Sequence, residues 1–340
     1  NLYIYIRLFI VTNISFDNNW TSNGNRASVD QDTIVISFVV CNGRFNEALN
    51  VVKSVLLFTK RPLIFVIFTD DSIKSKMFQA LTTWKILTIN QFEFEIREID
   101  FPNSNQDIWL YLFRKCAAQR LFFPTLLNHL DALIYVDVDT VFLGPVEELW
   151  QKFSEFDDDQ ISALTMEHEY PVVSSYQGLA KHPFYGKHGL NSGVMLMNLT
   201  RMRDFNWVKY LTPILIKWKD HLRFGDQDVI NIIFHYHPHA VRVLSCRYNY
   251  RADHCEFLDN CAPATTMGVF LLHGNRWNFY GHAAVSRGIA EYQVGTEPTE
   301  QLLVNMNKYI LETPSSSCRR MKDVFLKVPA DTIKTLHQTK

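Results

Sequence analysis

The sequence predicts an α/β protein with a mainly parallel central sheet flanked by helices. Two apolar runs rich in β-branched residues, at 33–41 and 63–68, have the composition of buried strands. Between them, apolar residues recur at helical spacing: Phe45, Leu49, Val52 and Leu56. A strand, a helix and a strand in this order form a parallel βαβ unit, which is the building block of this fold class.

The same alternation continues along the chain. Strands are predicted at 92–99, 133–142, 161–165, 194–198 and 269–272, and helices at 78–84, 116–129 and within 297–340. Parallel sheets bind ligands at the carboxyl ends of their strands. Asn42, Asp137, Asp139 and His273 all fall at or near predicted strand ends, so we expect them to converge.

Three regions are expected. Residues 1–31 are a stem or a residual signal-anchor region, 32–296 are the main α/β domain, and 297–340 are a C-terminal helical extension. The apolar segment 2–11 is interrupted by Arg7 and is shorter than the roughly 20 residues that span a bilayer. It is either the tail of a signal anchor or a terminal apolar segment.

Composition excludes some classes of protein. The chain has 340 residues, is 47% hydrophobic and carries a formal net charge of −1, so a large core is available and no general attraction to nucleic acid is expected. A nucleotide-binding oxidoreductase is also excluded, because no G-x-G-x-x-G follows the first strand.

The cysteines and the glycosylation motifs indicate an oxidising compartment. Cys246, Cys255 and Cys261 crowd into a polar segment, where we expect a disulfide between Cys255 and Cys261. A zinc site that includes His254 is the alternative. Cys41 lies in an apolar strand and is interpreted as a buried thiol. Sequons at Asn13, Asn19 and Asn198 favour the secretory pathway as well.

The most informative stretch is the apolar run 134–143, which carries two carboxylates in its middle. In an extended chain, Asp137 and Asp139 would project to the same side. Two adjacent carboxylates repel each other and are costly to desolvate, and a divalent cation such as Mg²⁺ or Mn²⁺ relieves both costs. Such an ion would provide a binding site for a diphosphate. The alternative is an ordinary turn or a solvated strand end.

Several long blocks together carry a resemblance to a known family. They are VVCNG, CAAQRLFFP, LIYVDVDTVFLGPVEELW, HGLNSGVMLMNLTRMR, FGDQDVINIIF and FLLHGNRW. From about residue 33 to about residue 282 the chain resembles the retaining glycosyltransferases of family 8, which have the GT-A nucleotide-sugar-binding fold. The pieces MEHEYP, HPFYGKHGLNSGVMLMN, YNYRADHC and LLHGNR make it most similar to the glucoside xylosyltransferases.

The resemblance implies an activity and its cofactors. It implies transfer of xylose from UDP-xylose in the presence of Mn²⁺. The implied acceptor is a glucose that is O-linked to EGF-like repeats of proteins, and the implied linkage is α1,3. The metal ligands would be Asp137, Asp139 and His273. The implied location is the lumen of the endoplasmic reticulum or Golgi, with a single-pass type II membrane topology through an N-terminal anchor.

The same resemblance assigns the remaining site residues. Val40, Cys41 and Asn42 would hold uracil and ribose. The donor diphosphate and sugar would be bound by Arg120, Val138, Asn191, Ser192, Gly193, Gly274 and Arg276, where Arg276 takes the place of a lysine found in many members. Small residues at 191–193 would admit the sugar ring.

Asp226, Gln227 and Asp228 form the implied catalytic block. Asp226 is also a candidate N-cap for the helix that follows it. An amide is a poor nucleophile, so we expect a front-face displacement at Gln227 instead of a covalent intermediate. We expect Asp226 to hydrogen-bond the sugars. The rival functions are another family-8 transferase, either a xyloside xylosyltransferase or a hexosyltransferase, and a non-catalytic lectin-like module.

Overall fold

The computed structural model describes residues 32–41, 43–88, 91–101, 109, 116–170, 174–256, 260–274, 279–293, 297–312 and 316–338. The predicted stem 1–31, with its apolar segment and two sequons, and the site residues Asn42 and Arg276 lie outside the described residues.

Strands and helices alternate through the first half of the described chain, as the sequence predicts. The strands are β1 Ile34–Val40, β2 Leu63–Thr69, β3 Phe92–Glu98, β4 Ala132–Val136, β5 Thr140–Phe142, β6 Ser162–Met166, β7 Leu190–Asn198, β8 Val241–Leu244, β9 Tyr250–Arg251 and β10 Leu271–His273. The α-helices are α1 Phe45–Phe58, α2 Asp71–Leu87, α3 Phe123–Leu126, α4 Val146–Trp150, α5 Ser175–Leu179, α6 Leu199–Asp204, α7 Trp207–Trp218, α8 Asp226–Tyr236, α9 Ala252–Glu256, α10 Ala262–Met267, α11 Phe279–Glu291, α12 Thr299–Glu312, α13 Ser316–Arg320 and α14 Lys322–Gln338.

The strands of the described residues form two sheets. The first has seven strands in the order β3-β2-β1-β4-β7-β6-β8, and the second has three in the order β5-β10-β9. In the large sheet β7 runs antiparallel to both of its neighbours, whereas the other pairs are parallel. All seven residues of β1 are buried, because helices cover both faces of a sheet of this kind. The predicted fold class is therefore confirmed.

The run that carries the two aspartates is broken, contrary to the prediction of one strand over 133–142. β4 ends at Val136 in the large sheet, and the chain resumes at Thr140 as β5 in the small sheet. A turn joins them, in which the Thr140 amide donates to the Asp137 carbonyl at 3.1 Å. The backbone leaves the apolar sheet where the carboxylates begin, because a buried strand has no partners for two negative charges.

The predicted helix over 116–129 is also interrupted. A 3-10 helix at Gln119–Phe122 is followed by the four-residue α3, in which Pro124 occupies the first turn. Proline lacks an N–H and fits only the beginning of an α-helix, so the segment restarts at this point and cannot run through it.

Cysteine pairing differs from the prediction. Three disulfides form: Cys41–Cys116, Cys246–Cys261 and Cys255–Cys318. The predicted pair Cys255–Cys261 and the free thiol at Cys41 are therefore wrong, and no cysteine is left for a zinc site. Cys318 was separated from the polar cluster in the sequence, so local crowding could not identify it as a partner.

The C-terminal helices form a second, smaller core with the small sheet. Apolar side chains of α12 and α14 pack with β10 and with the region of the Cys255–Cys318 disulfide. Lys53 in α1 also donates to the carbonyl of Tyr292 at 2.9 Å, which joins this region to the main body of the molecule.

Two surface predictions can be compared with the structure. Asn198 is buried and its side chain accepts from the Arg201 amide as the N-cap of α6, so its sequon has no room for a glycan in the folded chain. Among the described helices, none is both long enough and apolar enough to cross a bilayer.

Candidate active site

Asp137, Asp139 and His273 converge where the two sheets meet. The turn after β4 presents the two carboxylates, and β10 pairs with β5 so that His273 lies opposite Thr140. The Nε2 atom of His273 is 3.5 Å from Asp139 Oδ1 and 3.7 Å from Asp137 Oδ2. One ligand atom from each of the three residues lies within 4.8 Å of the others.

The imidazole of His273 is held from two sides. Its Nδ1 is 2.8 Å from the side-chain oxygen of Asn249, which leaves Nε2 directed at the carboxylates. A Cβ at Gly193 would lie 2.0 Å from His273 Cε1, so only glycine fits beneath the ring. Gly193 therefore leaves space for the imidazole, and its predicted contact with the donor sugar stays a prediction.

This donor set fits a divalent metal ion. Two carboxylates and a neutral imidazole match borderline cations such as Mn²⁺, since the oxygen ligands suit hard ions and the nitrogen favours transition metals. Burial alone would raise the pKa of Asp139, but His273 and the Arg44 guanidinium lower it to about 2. The carboxylate is therefore ionised and ready to bind a cation at neutral pH.

Arg120 lies behind the two aspartates of the candidate metal site. Its guanidinium binds the Asp226 carboxylate, donates to Asp137 Oδ1 at 3.1 Å and donates to the Ser192 carbonyl at 2.6 Å. Burial would lower the pKa of Arg120, but the surrounding acidic groups, Asp226 foremost, raise it well above its usual value. The side chain is thus a buried, permanent positive charge.

Asp226 does not cap helix α8, contrary to the alternative we considered. The N-cap is Gly225, whose φ of 67° suits glycine. The carboxylate of Asp226 turns instead to Arg120. Among the described residues, no side chain caps this helix. Asp228 Oδ2 accepts from the amides of Arg223 and Phe224, in the loop before the helix, at 2.6 and 2.8 Å.

Asp228 is fully buried, and its other oxygen accepts from the Tyr176 hydroxyl at 2.9 Å and faces His182. These contacts fix the loop before α8. The predicted catalytic function of Asp228 stays a prediction.

Both the oxygen and the nitrogen of the Gln227 side-chain amide form hydrogen bonds. Its oxygen accepts from the Ser192 amide at 3.0 Å, and its nitrogen donates to Glu167 Oε2 at 3.2 Å. Asn191 donates to the same carboxylate oxygen at 2.7 Å. Residues 191–193 are part of strand β7, so the alternative of a simple turn is wrong.

The nucleotide end of the predicted site lies at the tip of β1. Val40 and Cys41 are buried there, and Arg44 Nη2 is 3.5 Å from Asp139 Oδ2. Val138 is buried in the turn between the aspartates. The amide of Gly274 donates to the Asp139 carbonyl at 2.7 Å, which ties the residue after His273 to the same turn.

Three residues of this site were not predicted: Glu167, Asn249 and Arg44. Glu167 and Asn249 lie within the blocks MEHEYP and YNYRADHC, which we used only to narrow the resemblance. For Glu167, a polar side chain just after the predicted strand 161–165 was the available signal. Arg44 gave no signal, because a lone arginine after a strand is usually a surface residue.

Comparison with known proteins agrees with the motifs. The family model described as "Glycosyl transferase family 8" matches residues 35–273. The chain is 38% identical over 319 residues to glucoside xylosyltransferase 1 of Danio rerio, which covers 89% of this chain and 79% of that protein. It is 37% identical over 321 residues to glucoside xylosyltransferase 2 of Mus musculus, which covers 90% of this chain and 72% of that protein.

Solved structures show the same fold. Mouse xyloside xylosyltransferase 1 in its apo form superposes with a TM-score of 0.55 at 17% identity, over 72% of this chain and 99% of that one. The galactosyltransferase LgtC in complex with donor and acceptor sugar analogs gives 0.58 at 18% identity, over 78% and 98%. By its sequence motifs, its fold and its relatives, the chain belongs to glycosyl transferase family 8 and is similar to the glucoside xylosyltransferases over most of its length.

Proposed function

We propose that this protein transfers xylose from UDP-xylose to a glucose O-linked to a protein, with retention at the anomeric carbon and with Mn²⁺ as its metal. The observation that carries the proposal is the convergence of Asp137, Asp139 and His273 in a chain that is 38% identical to a glucoside xylosyltransferase. Together they support both a metal-dependent sugar nucleotide site and the choice of xylose.

Asp137, Asp139 and His273 would hold the metal ion. When bound, the ion supplies Lewis acidity that neutralises the charge of a departing diphosphate. The chain contributes further positive charge of its own, because Arg44 lies beside Asp139 and Arg120 lies behind Asp137.

The remaining residues orient the sugars. Gln227 is held by Ser192 and Glu167, and its amide would lie beside the donor sugar. Because an amide is a poor nucleophile, the acceptor hydroxyl attacks the anomeric carbon on the face from which the diphosphate leaves. The hydroxyl proton then passes to the departing phosphate oxygen. Asp226, paired with Arg120, would accept hydrogen bonds from a sugar.

The acceptor and the compartment are part of the proposal. The acceptors are O-glucosylated EGF-like repeats, and the product is an α1,3 linkage, as the resemblance to the glucoside xylosyltransferases implies. The location is the lumen of the endoplasmic reticulum or Golgi, with an N-terminal membrane anchor. The three disulfides support an oxidising compartment.

The test is transfer of labelled xylose from UDP-xylose to a synthetic O-glucosylated EGF repeat. Transfer should require Mn²⁺ and should fall at least about 100-fold in Asp139→Ala, since one lost ligand removes most of the charge stabilisation. Asp158→Ala, an exposed aspartate outside the site, is the matched control and should keep full activity.

Other results would point to the rival functions. Preferred use of UDP-glucose or UDP-galactose would indicate a hexosyltransferase, and preference for a xylosylated acceptor would indicate a xyloside xylosyltransferase. Sugar binding without transfer from any donor would leave a lectin-like module. Unchanged transfer in Asp139→Ala would refute the metal site.

A further inference from the structure

A series of buried polar side chains connects His273 to Gln227. It runs through Asn249, Asn191 and Glu167, each of which is buried. Every link is a direct hydrogen bond between 2.7 and 3.2 Å. The five residues come from five different parts of the chain, and the proposed activity does not by itself explain why they are joined.

The orientation of Asn191 is determined by its neighbours. Its side-chain oxygen accepts from the Gly193 amide at 3.0 Å, and its nitrogen donates to Glu167 Oε2 at 2.7 Å. A backbone N–H can only donate and an ionised carboxylate can only accept. The oxygen of Asn191 must therefore be the atom that faces Gly193 and Asn249.

The orientation of Asn249 follows from that of Asn191. Its nitrogen donates to the Asn191 oxygen at 2.8 Å and to Thr165 Oγ1 at 3.0 Å. Its own oxygen is then the atom that lies 2.8 Å from His273 Nδ1. An oxygen can only accept, so the imidazole must carry a proton on Nδ1. In the neutral ring, which is the form that binds a metal, the lone pair of Nε2 then faces the two carboxylates.

Arg251 fixes the backbone that supports this arrangement. Its fully buried guanidinium donates to the carbonyl of Asn249 at 3.1 Å and to the carbonyl of Glu167 at 2.5 Å. Arg251 is also paired with His273 between strands β9 and β10. The positions of Asn249, Glu167 and His273 are thereby set relative to one another.

We propose that Asn249 is a positioning residue that sets the tautomer of His273 for metal binding and couples this ligand, through Asn191 and Glu167, to the amide of Gln227. The expected effect on catalysis rests on the proposed function. The tautomer of His273 does not depend on it. Partners of this kind on metal-ligating histidines typically change metal affinity by about 10–100-fold.

The first test needs no substitution at Asn249. The protein is labelled with ¹⁵N at histidine, and the His273 ring signals are assigned by their loss in His273→Gln. Spectra are recorded without metal or sugar nucleotide at about pH 8.5, well above the ordinary imidazole pKa of about 6.5. A proton on Nδ1 alone is expected. A proton on Nε2 would overturn the proposal.

The second test separates the two sides of Asn249. Asn249→Leu has a similar size but offers no polar atom, whereas Asn249→Asp keeps an acceptor for His273 and loses the donor to Asn191. Mn²⁺ affinity, measured by the paramagnetic resonance of free Mn²⁺, should fall about 10–100-fold in Asn249→Leu and stay near the wild-type value in Asn249→Asp. Xylose transfer should fall strongly in both variants.

Asn198→Ala is the matched control, because Asn198 is another buried asparagine whose oxygen accepts a backbone hydrogen bond, at the far end of β7. Its Mn²⁺ affinity and its transfer should be unchanged. Equal loss of Mn²⁺ affinity in Asn249→Asp and Asn249→Leu would overturn the proposal. If the affinities and the tautomer are as expected but no donor is used, the proposed function fails and the inference about Asn249 stands.

Discussion

At the scale of the residue, Arg120 joins the two halves of the proposed site. It binds Asp226, which is 106 positions away in the sequence, and Asp137 of the metal-ligating turn. Its guanidinium lies over the aromatic ring of Tyr135, 4.5 Å from the ring centre. A buried ion pair of this kind adds little net stability, but the loss of one partner leaves an uncompensated charge in the interior.

We predict that Arg120→Met lowers the free energy of unfolding by about 3–5 kcal/mol at neutral pH. Burial raises the pKa of Asp226 and Arg120 opposes this rise, so the pKa should rise further in the variant. A carboxyl group with a raised pKa stabilises the native state below its unfolded pKa of about 3.9, and this contribution disappears as the pH rises through the folded pKa. The difference in the free energy of unfolding between the wild-type protein and Arg120→Met should therefore be small at pH 4 and large at pH 8.

The measurement is urea denaturation of the wild-type protein and the variant across this range. The double variant Arg120→Met/Asp226→Leu should recover most of the stability and lose the pH dependence, because no buried charge remains at either position. A deficit in Arg120→Met that is the same at pH 4 and pH 8 would contradict the assigned cause.

At the scale of the element, the tip of β1 and the segment that carries Arg120 are joined covalently. The disulfide Cys41–Cys116 links residues 75 positions apart and lies just ahead of the 3-10 helix Gln119–Phe122. Since this short helix contains Arg120, the disulfide restrains the residue that neutralises Asp226.

We predict that removing this disulfide costs more stability than removing Cys246–Cys261, which links residues 15 positions apart. The difference should be about 1.4 kcal/mol for Cys41→Ala/Cys116→Ala against Cys246→Ala/Cys261→Ala, because the entropy of closing a loop in the unfolded chain grows with loop length. Chemical denaturation under identical conditions measures both. A larger loss in the second variant would show that local packing outweighs chain entropy here.

At the scale of the whole molecule, the candidate metal ligands lie at the junction of two sheets and two cores. Asp137 follows the large sheet, and His273 ends a strand of the small sheet. The small sheet packs with the helices beyond residue 297, so these helices support His273 indirectly. The boundary that we place at residue 296 stays a prediction.

A metal ion at this junction should stabilise the entire fold. We expect Mn²⁺ at a hundredfold excess over its dissociation constant to raise the free energy of unfolding by about 2.7 kcal/mol, because it binds the native state only. A chelator should remove this gain. Asp158→Ala should keep the gain and Asp139→Ala should lose it, as measured by denaturation with and without Mn²⁺. An equal gain in both variants would place the ion elsewhere.

The sequence alone determined the fold class, the family and the identity of the three proposed metal-ligating residues. These features depend on short-range patterns and on long matching blocks, which are visible without coordinates. Only the tertiary structure decided the cysteine pairing, the break of the chain at Asp137, the pairing of Asp226 with Arg120 and the place of Asn249 beside His273. Each of these depends on contacts between residues far apart in the chain, and such contacts are selected by burial and by the need to satisfy buried polar groups, which no local pattern records.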